Sequence, residues 1–311
     1  MQNNETKPNT EEIFSQCLER AEQGDAESQY KLGLMYYNGE GTEVDKEKAL
    51  YWYTKAAEQG VVKAQTRLGC MYADEEAPPV DKKQKLEQYT KDAEQGHMHH
   101  QWLLGYVYDI GKLVAHLPWT SDESKAPTIT VDKENALYWY TKAAEQDHVV
   151  AQYRLAQMYE HGDGIAIDKE KAFYWYTTLA ERSWDSTGWE KLGAVYYALA
   201  GMYMRGEYPA VDTEKAFYWC TKAAEESHAE AQYLLATMYR DGIGTSVNKQ
   251  EMCYWYTRAA VQDNAEAQFQ LGQLYYRGEG CNADKEKSVY WWKKAAEQNH
   301  AEARAALARN E

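Results

Sequence analysis

Apolar and small residues recur along this chain in two alternating blocks, each with the three-to-four-residue spacing of one helical face. The first block reads AESQYKLGLMYYNGEG at 26–41 and returns as AQYRLAQMYEHGDG at 151–164, AEAQYLLATMYRDGIG at 229–244 and AEAQFQLGQLYYRGEG at 265–280. Leu32, Gly33, Met35 and Tyr36 share one face, and a Gly-x-Gly pair follows, as at Gly39/Gly41, Gly162/Gly164, Gly242/Gly244 and Gly278/Gly280. Glycine relieves the left-handed turn that ends a helix, so each pair predicts a stop. After a polar linker stands Asp45, Asp81, Asp132, Asp168, Asp212, Asn248 or Asp284, a short side chain suited to cap the next helix. The second block, YWYTKAAEQG at 51–60, returns at 138–147, 174–182, 218–227, 254–263 and 290–299, with degenerate copies at 14–24 and 88–96. Ala49, Trp52 and Ala56 again mark one face, and Gln88 breaks the column of tryptophans at 52, 139, 175, 219, 255 and 291.

The pattern predicts a helix–loop–helix unit. The second alanine of the block, or its equivalent, falls at Ala21, Ala57, Ala93, Ala144, Ala180, Ala224, Ala260 and Ala296, and the intervals are 36 residues apart from two of 51 and 44. Such a hairpin buries too little apolar surface alone, but stacked copies bury a continuous ridge. The expected organisation is all-α: a flexible 1–10, a half-repeat at 11–24, and repeats at 25–60, 61–96, 97–147, 148–182, 183–227, 228–263 and 264–299. A half-repeat at 300–311 completes it. Gly33, Gly69, Gly105, Ala156, Gly201, Ala236 and Gly272 are the small residues expected where helices approach closely.

These blocks resemble the Sel1-like repeat, a relative of the tetratricopeptide repeat; the resemblance covers roughly residues 12–308. It implies a right-handed αα-superhelix with a concave face lined mainly by the first helices. It also implies adaptor, inhibitor or assembly work, and brings no catalytic residue set. By analogy with tetratricopeptide hairpins, first-helix positions two before, two after and five to six after the Leu of each LG pair face the groove. They give Tyr30, Leu34, Tyr37 and Asn38 in the first repeat, then Trp102, Tyr106 and Asp109 in the third. The fourth contributes Tyr153, Gln157, Glu160 and His161; the fifth, Tyr197, Met204 and Arg205; the sixth, Tyr233, Arg240 and Asp241; the seventh, Phe269, Gln273, Tyr276 and Arg277. The aromatic column from Tyr30 to Phe269 reads equally as inter-repeat core. The varied positions read as groove, because a shared core would not vary so much. Arg205, Arg240 and Arg277 would suit an acidic segment, since a guanidinium holds a carboxylate bidentately.

Two departures stand out. Residues 109–131 lengthen the loop of the third repeat, either as a tolerated insertion or as a partner-contacting arm with Leu117, Pro118 and Trp119 at its tip. Residues 183–192 add SWDSTGWEKL, whose Trp184 and Trp189 either pack locally or make an exposed aromatic contact.

Composition narrows the function classes. The 311 residues carry 49 acids against 34 bases, a net charge of −15, which repels phosphate backbones and argues against nucleic-acid binding while favouring a basic protein partner such as a toxin or effector. No apolar run reaches the roughly 18 residues of a membrane span, so no membrane insertion is expected. Tyr (27) and Trp (11) outnumber Phe (4), and these rings with polar handles suit half-buried positions. Cys17, Cys70, Cys220, Cys253 and Cys281 are irregularly spaced and read as reduced thiols. His97, His99, His100 and His116 cluster, but with no accompanying Cys or HExxH motif they read as polar inter-repeat surface before a metal site. No nucleophile motif or phosphate loop occurs, so no cofactor is expected and a non-catalytic protein or peptide binder is. The polar opening MQNNETKPN suggests a cytoplasmic protein, or a periplasmic one if a leader has been removed.

Overall fold

A computed structural model describes residues 10–73, 82–111, 130–182, 189, 191–206 and 208–310. Among them all regular structure is helical. The helices are α1 (Thr10–Glu22), α2 (Ala26–Asn38), α3 (Lys46–Glu58), α4 (Val62–Ala73), α5 (Lys82–Glu94), α6 (Met98–Ile110), α7 (Lys133–Ala144) and α8 (Val149–His161). Then follow α9 (Lys169–Glu181), α10 (Leu192–Arg205), α11 (Thr213–Glu225), α12 (Ala229–Asp241), α13 (Lys249–Val261), α14 (Ala265–Arg277), α15 (Lys285–Glu297) and α16 (Ala301–Asn310). The chain divides into two compact units, residues 1–168 and 169–311, with the division between the two helices of the fourth repeat. In the first unit α1 packs on α2, α2 on α3, α3 on α4, α5 on α6, α6 on α7 and α7 on α8; in the second each helix from α9 to α16 packs on the next. Each unit is thus built as stacked helix–loop–helix hairpins, the architecture of a helical solenoid.

The stops and starts lie where the sequence puts them. Gly39, Gly162, Gly242 and Gly278 end first helices in the left-handed region, with φ between 69° and 73°. Asp45, Asp132, Asp212, Asn248 and Asp284 each accept a hydrogen bond from the backbone N–H three residues on. Asp81 lies outside the described residues. The hairpin is closed by one backbone bond, from Asp45 N–H to the Tyr36 carbonyl at 2.9 Å, repeated as Asp284 to Tyr275 at 2.9 Å. Asp132 makes the same bond to Tyr108 at 2.9 Å. The lengthened loop of the third repeat therefore leaves the hairpin register intact at its base. Its residues 112–129, with Leu117, Pro118 and Trp119, lie outside the described residues, as does Trp184. Trp189 is buried.

Small residues set the helix approach. A Cβ on Gly33 would lie 2.6 Å from the ring of Tyr53, and one on Gly105 2.6 Å from the ring of Tyr140. Both rings are fully enclosed, so neither can yield. At Gly201 the second helix offers Cys220 instead of a ring, and an added Cβ would meet only the flexible end of Arg205.

A glutamine relay stitches successive repeats. Gln29, Gln65, Gln101, Gln152, Gln232 and Gln268 are buried, and each donates through Nε2 to the carbonyl of the alanine eight residues earlier, at 3.0–3.3 Å. That alanine ends the preceding second helix, where carbonyls lack helical partners. Gln59, Gln146, Gln262 and Gln298 in turn donate to the side-chain oxygens of Gln29, Gln101, Gln232 and Gln268, at 2.7–2.9 Å. The fifth repeat has Tyr196 at this position, stacked on Trp219.

Candidate functional site

The first helices carry the candidate surface, and its residues divide into three kinds. The aromatic column serves largely as inter-repeat joint. Trp102 is 4% exposed and stacks on His148 at 5.3 Å; Tyr197 stacks on His228 at 4.8 Å, and Phe269 on His300 at 4.7 Å. Tyr30 and Tyr233 lean on Tyr53 and Tyr256 at 5.8 and 5.7 Å. Tyr153 is half-buried like them. The other rings of the column are half-buried, and Trp102, a position expected in the groove, is core.

Three of the histidines involved also cap the next first helix. His148, His228 and His300 accept through Nδ1 from the N–H of Ala151, Ala231 and Ala303, each at 3.3 Å. Acceptance requires the neutral ring with its proton on Nε2. Burial pushes His148 down to about 3 and lowers His228, with Glu230 opposing the shift in the latter, so both stay neutral at physiological pH. Burial, reinforced by His148 and His100, also holds His99 well below the ordinary histidine range. Of the histidine cluster, His99 is therefore stacked into the inter-repeat joint with Trp102 and His148, His116 lies outside the described residues, and among the described residues no group of three His, Cys, Asp or Glu side chains converges as metal ligands.

The second kind consists of charges already satisfied. Asp109, expected to face a partner, is 5% exposed. Its carboxylate accepts from Lys133 Nζ at 2.6 Å, from Arg154 Nε and Nη2 at 2.6 and 2.8 Å, and from the Tyr140 hydroxyl at 3.2 Å. Asp163 joins the same two cations, 3.1 Å from Lys133 and hydrogen-bonded to Arg154. Burial alone would raise the Asp109 carboxyl; the hydrogen bonds from Arg154 and Lys133 outweigh it and hold the group below the usual carboxylate range. The cluster clamps α6, α7 and α8 together at the base of the long loop. Arg240 is likewise occupied: it holds Asp241 bidentately at 2.8 Å through both Nε and Nη2, and donates to the Tyr256 hydroxyl at 3.3 Å. The open guanidinium fork expected there is closed by its own neighbour.

The third kind remains accessible. Leu34, Tyr37, Tyr106, Gln157, Glu160, Met204 and Gln273 are half-buried, while Asn38, His161, Arg205 and Arg277 are exposed. Tyr276 is 46% exposed and leans on Trp292. Leu34 lines a cleft of about 340 Å³ between α1 and α2, walled by Ile13, Cys17, Arg20, Lys31 and Met35 among others. The Cys17 thiol donates to the Ser28 carbonyl at 3.3 Å, so it is part of the wall.

A model of the Sel1 repeat matches residues 26–61, 62–84, 101–148, 149–183, 194–228, 229–264 and 265–300. Among solved structures, a protective antigen of uropathogenic Escherichia coli strains displaying an SLR fold is 30% identical over 95% of this chain, with a TM-score of 0.71. This chain spans 58% of that protein's length. A Sel1 repeat protein from Oxalobacter formigenes is 29% identical, covers 99% of this chain and 83% of its own, and has a TM-score of 0.59. An immunity protein from Pseudomonas aeruginosa shares 15% identity over 83% of this chain and 76% of its own, with a TM-score of 0.38, too remote to inform function. No curated protein sequence matches. The recurring hairpin, its glycine stops and its caps, found at the same positions that the repeat model matches, place the chain in the Sel1 repeat family.

Proposed function

We propose that this chain is a non-catalytic interaction scaffold that binds protein or peptide through the accessible positions of its first helices. The observation that carries the reading is the contrast within each first helix. Positions that pack between repeats are repeated almost unchanged, whereas the accessible ones run from Leu34, Tyr37 and Asn38 through Gln157 and His161 to Gln273, Tyr276 and Arg277. Residues freed from packing and varied along a repeated frame form an address for one partner. Tyr and Arg are favoured anchors because they bury large area with a polar tip. With Arg240 held by Asp241, the exposed cation offered by the last of these helices is Arg277. A basic toxin or effector is one partner class that fits the net charge of −15, since opposite charge speeds encounter. Among the described residues no helix is long and apolar enough to cross a membrane.

The test is affinity capture from the native host with the intact chain and with a Tyr276→Ala/Arg277→Glu variant. A discrete protein retained by the former and lost by the latter supports the proposal. Retention unchanged by the variant, or a turnover activity of the purified chain alone, contradicts it.

A further inference from the structure

Two cysteines of the second unit meet at a joint that three other repeats fill with a phenyl ring. Phe14, Phe173 and Phe217 occupy one equivalent position on α1, α9 and α11, edge-on to Tyr36, Tyr203 and Tyr239 with centroids 5.3–5.6 Å apart. The loop after the next first helix closes over this position. A Cβ on Gly41 would meet the Thr10 backbone and Phe14, and one on Gly244 the Thr213 backbone and Phe217. The joint between α13 and the loop after α14 keeps the geometry and changes the residues. A Cβ on Gly280 would collide with the Lys249 carbonyl, so this loop sits on the first turn of α13. One helical turn beyond Lys249 the ring position is Cys253, and the loop residue after Gly280 is Cys281, where Thr42 and Thr245 stand in the equivalent loops. Both positions are cysteine in this joint, and neither is in the others.

The two thiols are in contact. Cys253 is 7% exposed, in a core with Met252, Tyr256 and Leu274, and Cys281 and Tyr275 pack over that core. The thiols are hydrogen-bonded to each other, and the Cys281 thiol also donates to the Glu279 carbonyl at 3.8 Å. Burial, helped by the bond to Cys281, pushes the Cys253 thiol up to about 12, so it keeps its proton. Cys281 is half-buried, within reach of a small reagent. Cys17 and Cys220 are engaged elsewhere: they donate to the Ser28 and Ala231 carbonyls at 3.3 and 3.4 Å.

We infer that Cys253 and Cys281 are a modification site, converted by a hydroperoxide into a reversible disulfide that ties the loop after α14 to α13. Cys281, the accessible sulfur, attacks one peroxide oxygen as its thiolate. The O–O bond breaks, the other oxygen leaves as water or an alcohol, and Cys281 becomes a sulfenic acid. Cys253 then attacks that sulfur. The S–O bond breaks, and the departing hydroxide takes the Cys253 proton and leaves as water. The two thiols together lose two electrons and two protons, and the peroxide is reduced by the same two electrons. A thiol already held against the sulfenic acid intercepts it before a second peroxide carries it further up the oxidation ladder. A small dithiol undoes the bond by exchange through a mixed disulfide. The covalent link takes the place of the ring contact that Phe217 supplies one repeat earlier.

The experiment treats the reduced full chain with hydrogen peroxide in slight excess, alkylates the remaining thiols and maps tryptic peptides by mass spectrometry. Cleavage after Lys249, Arg258, Arg277 and Lys285 places Cys253 in residues 250–258 and Cys281 in residues 278–285. These two peptides emerge linked and separate again with dithiothreitol, while Cys17 and Cys220 are recovered alkylated. Oxidation raises the thermal midpoint of the second unit by about 6–12 °C, the shift of a loop-closing disulfide in a unit of this size. Cys281→Ser abolishes both the link and the rise and leaves Cys253 unmodified. Cys253→Ser leaves a sulfenic acid at Cys281 that dimedone traps. Mapping the wild-type chain needs no variant, so a variant that fails to fold does not blunt the test. Three results would overturn the inference: Cys281 carried to sulfinic or sulfonic acid with no linked peptide; linkage only between different copies of the chain; or the same mixture of pairings that the urea-unfolded chain gives.

Discussion

Replacing Asp109 by alanine removes the one buried anion that holds Lys133 and Arg154 against α6. Both cations are partly enclosed, with side chains 23% and 28% exposed, while the Asp109 side chain is 4% exposed. Breaking a buried ion pair from one side costs about 3–5 kcal/mol, because the partner charge stays behind. Asp163 remains to share the two cations, and water reaches them from one side, which favours the lower end, about 3 kcal/mol. For the first unit that is a fall in midpoint of about 6–12 °C. The partner substitution Asp163→Ala removes a carboxylate whose side chain is 38% exposed and costs about 1 kcal/mol or less. The assay is urea and thermal unfolding by circular dichroism, with amide exchange to localise the loss in α6, α7 and α8. The sign with pH follows from the depressed carboxyl. Its stabilisation is complete above the unfolded value, about 3.9, and is lost as pH falls through the lower folded value. If Asp109→Ala proves no more damaging than Asp163→Ala, the buried clamp does not exist and Asp109 returns to the candidate surface.

Three further outcomes are expected. Gly105→Ala drives a methyl into the ring of Tyr140 and costs about 1–3 kcal/mol, whereas Gly201→Ala meets only the mobile end of Arg205 and is nearly neutral; paired urea titrations separate them. His148, held neutral down to about 3, binds no proton where the unfolded chain does, so lowering pH from 7 to 5 removes about 2 kcal/mol; His148→Asn keeps a cap and flattens that slope in denaturation measured across pH. Ser227 holds a left-handed φ of 63°, so Ser227→Gly stabilises by about 1 kcal/mol, seen as a raised midpoint of the second unit.

Helices, stops and caps were readable because each depends on residues within one turn of itself. A glycine at position 39 or an aspartate at 45 acts on its own neighbours, and the 36-residue period multiplies the signal. The candidate site was readable only where a side chain has no distant partner. Asp109 stands in the register of an exposed position, but the cation that buries it, Arg154, lies 45 residues on, beyond the long loop. Arg240 pairs with the adjacent residue, and helix-face reasoning treats neighbours at i and i+1 as pointing apart. The glutamine relay was visible as a repeated AQ, and its constant offset of eight residues from an alanine was the signal that would have identified a bridge between helices. The histidine caps were hidden because Asp and Asn dominate that position and His serves only when burial keeps it neutral.

The central claim is that the varied first-helix positions touch another macromolecule. A photo-crosslinking amino acid placed in turn at positions 157, 204 and 276, and at the loop positions 43 and 246, tests it in the native host. The account predicts one discrete adduct of common mass from the first-helix positions and none from the loops. Equal adducts from both sets, or none from any, would contradict it.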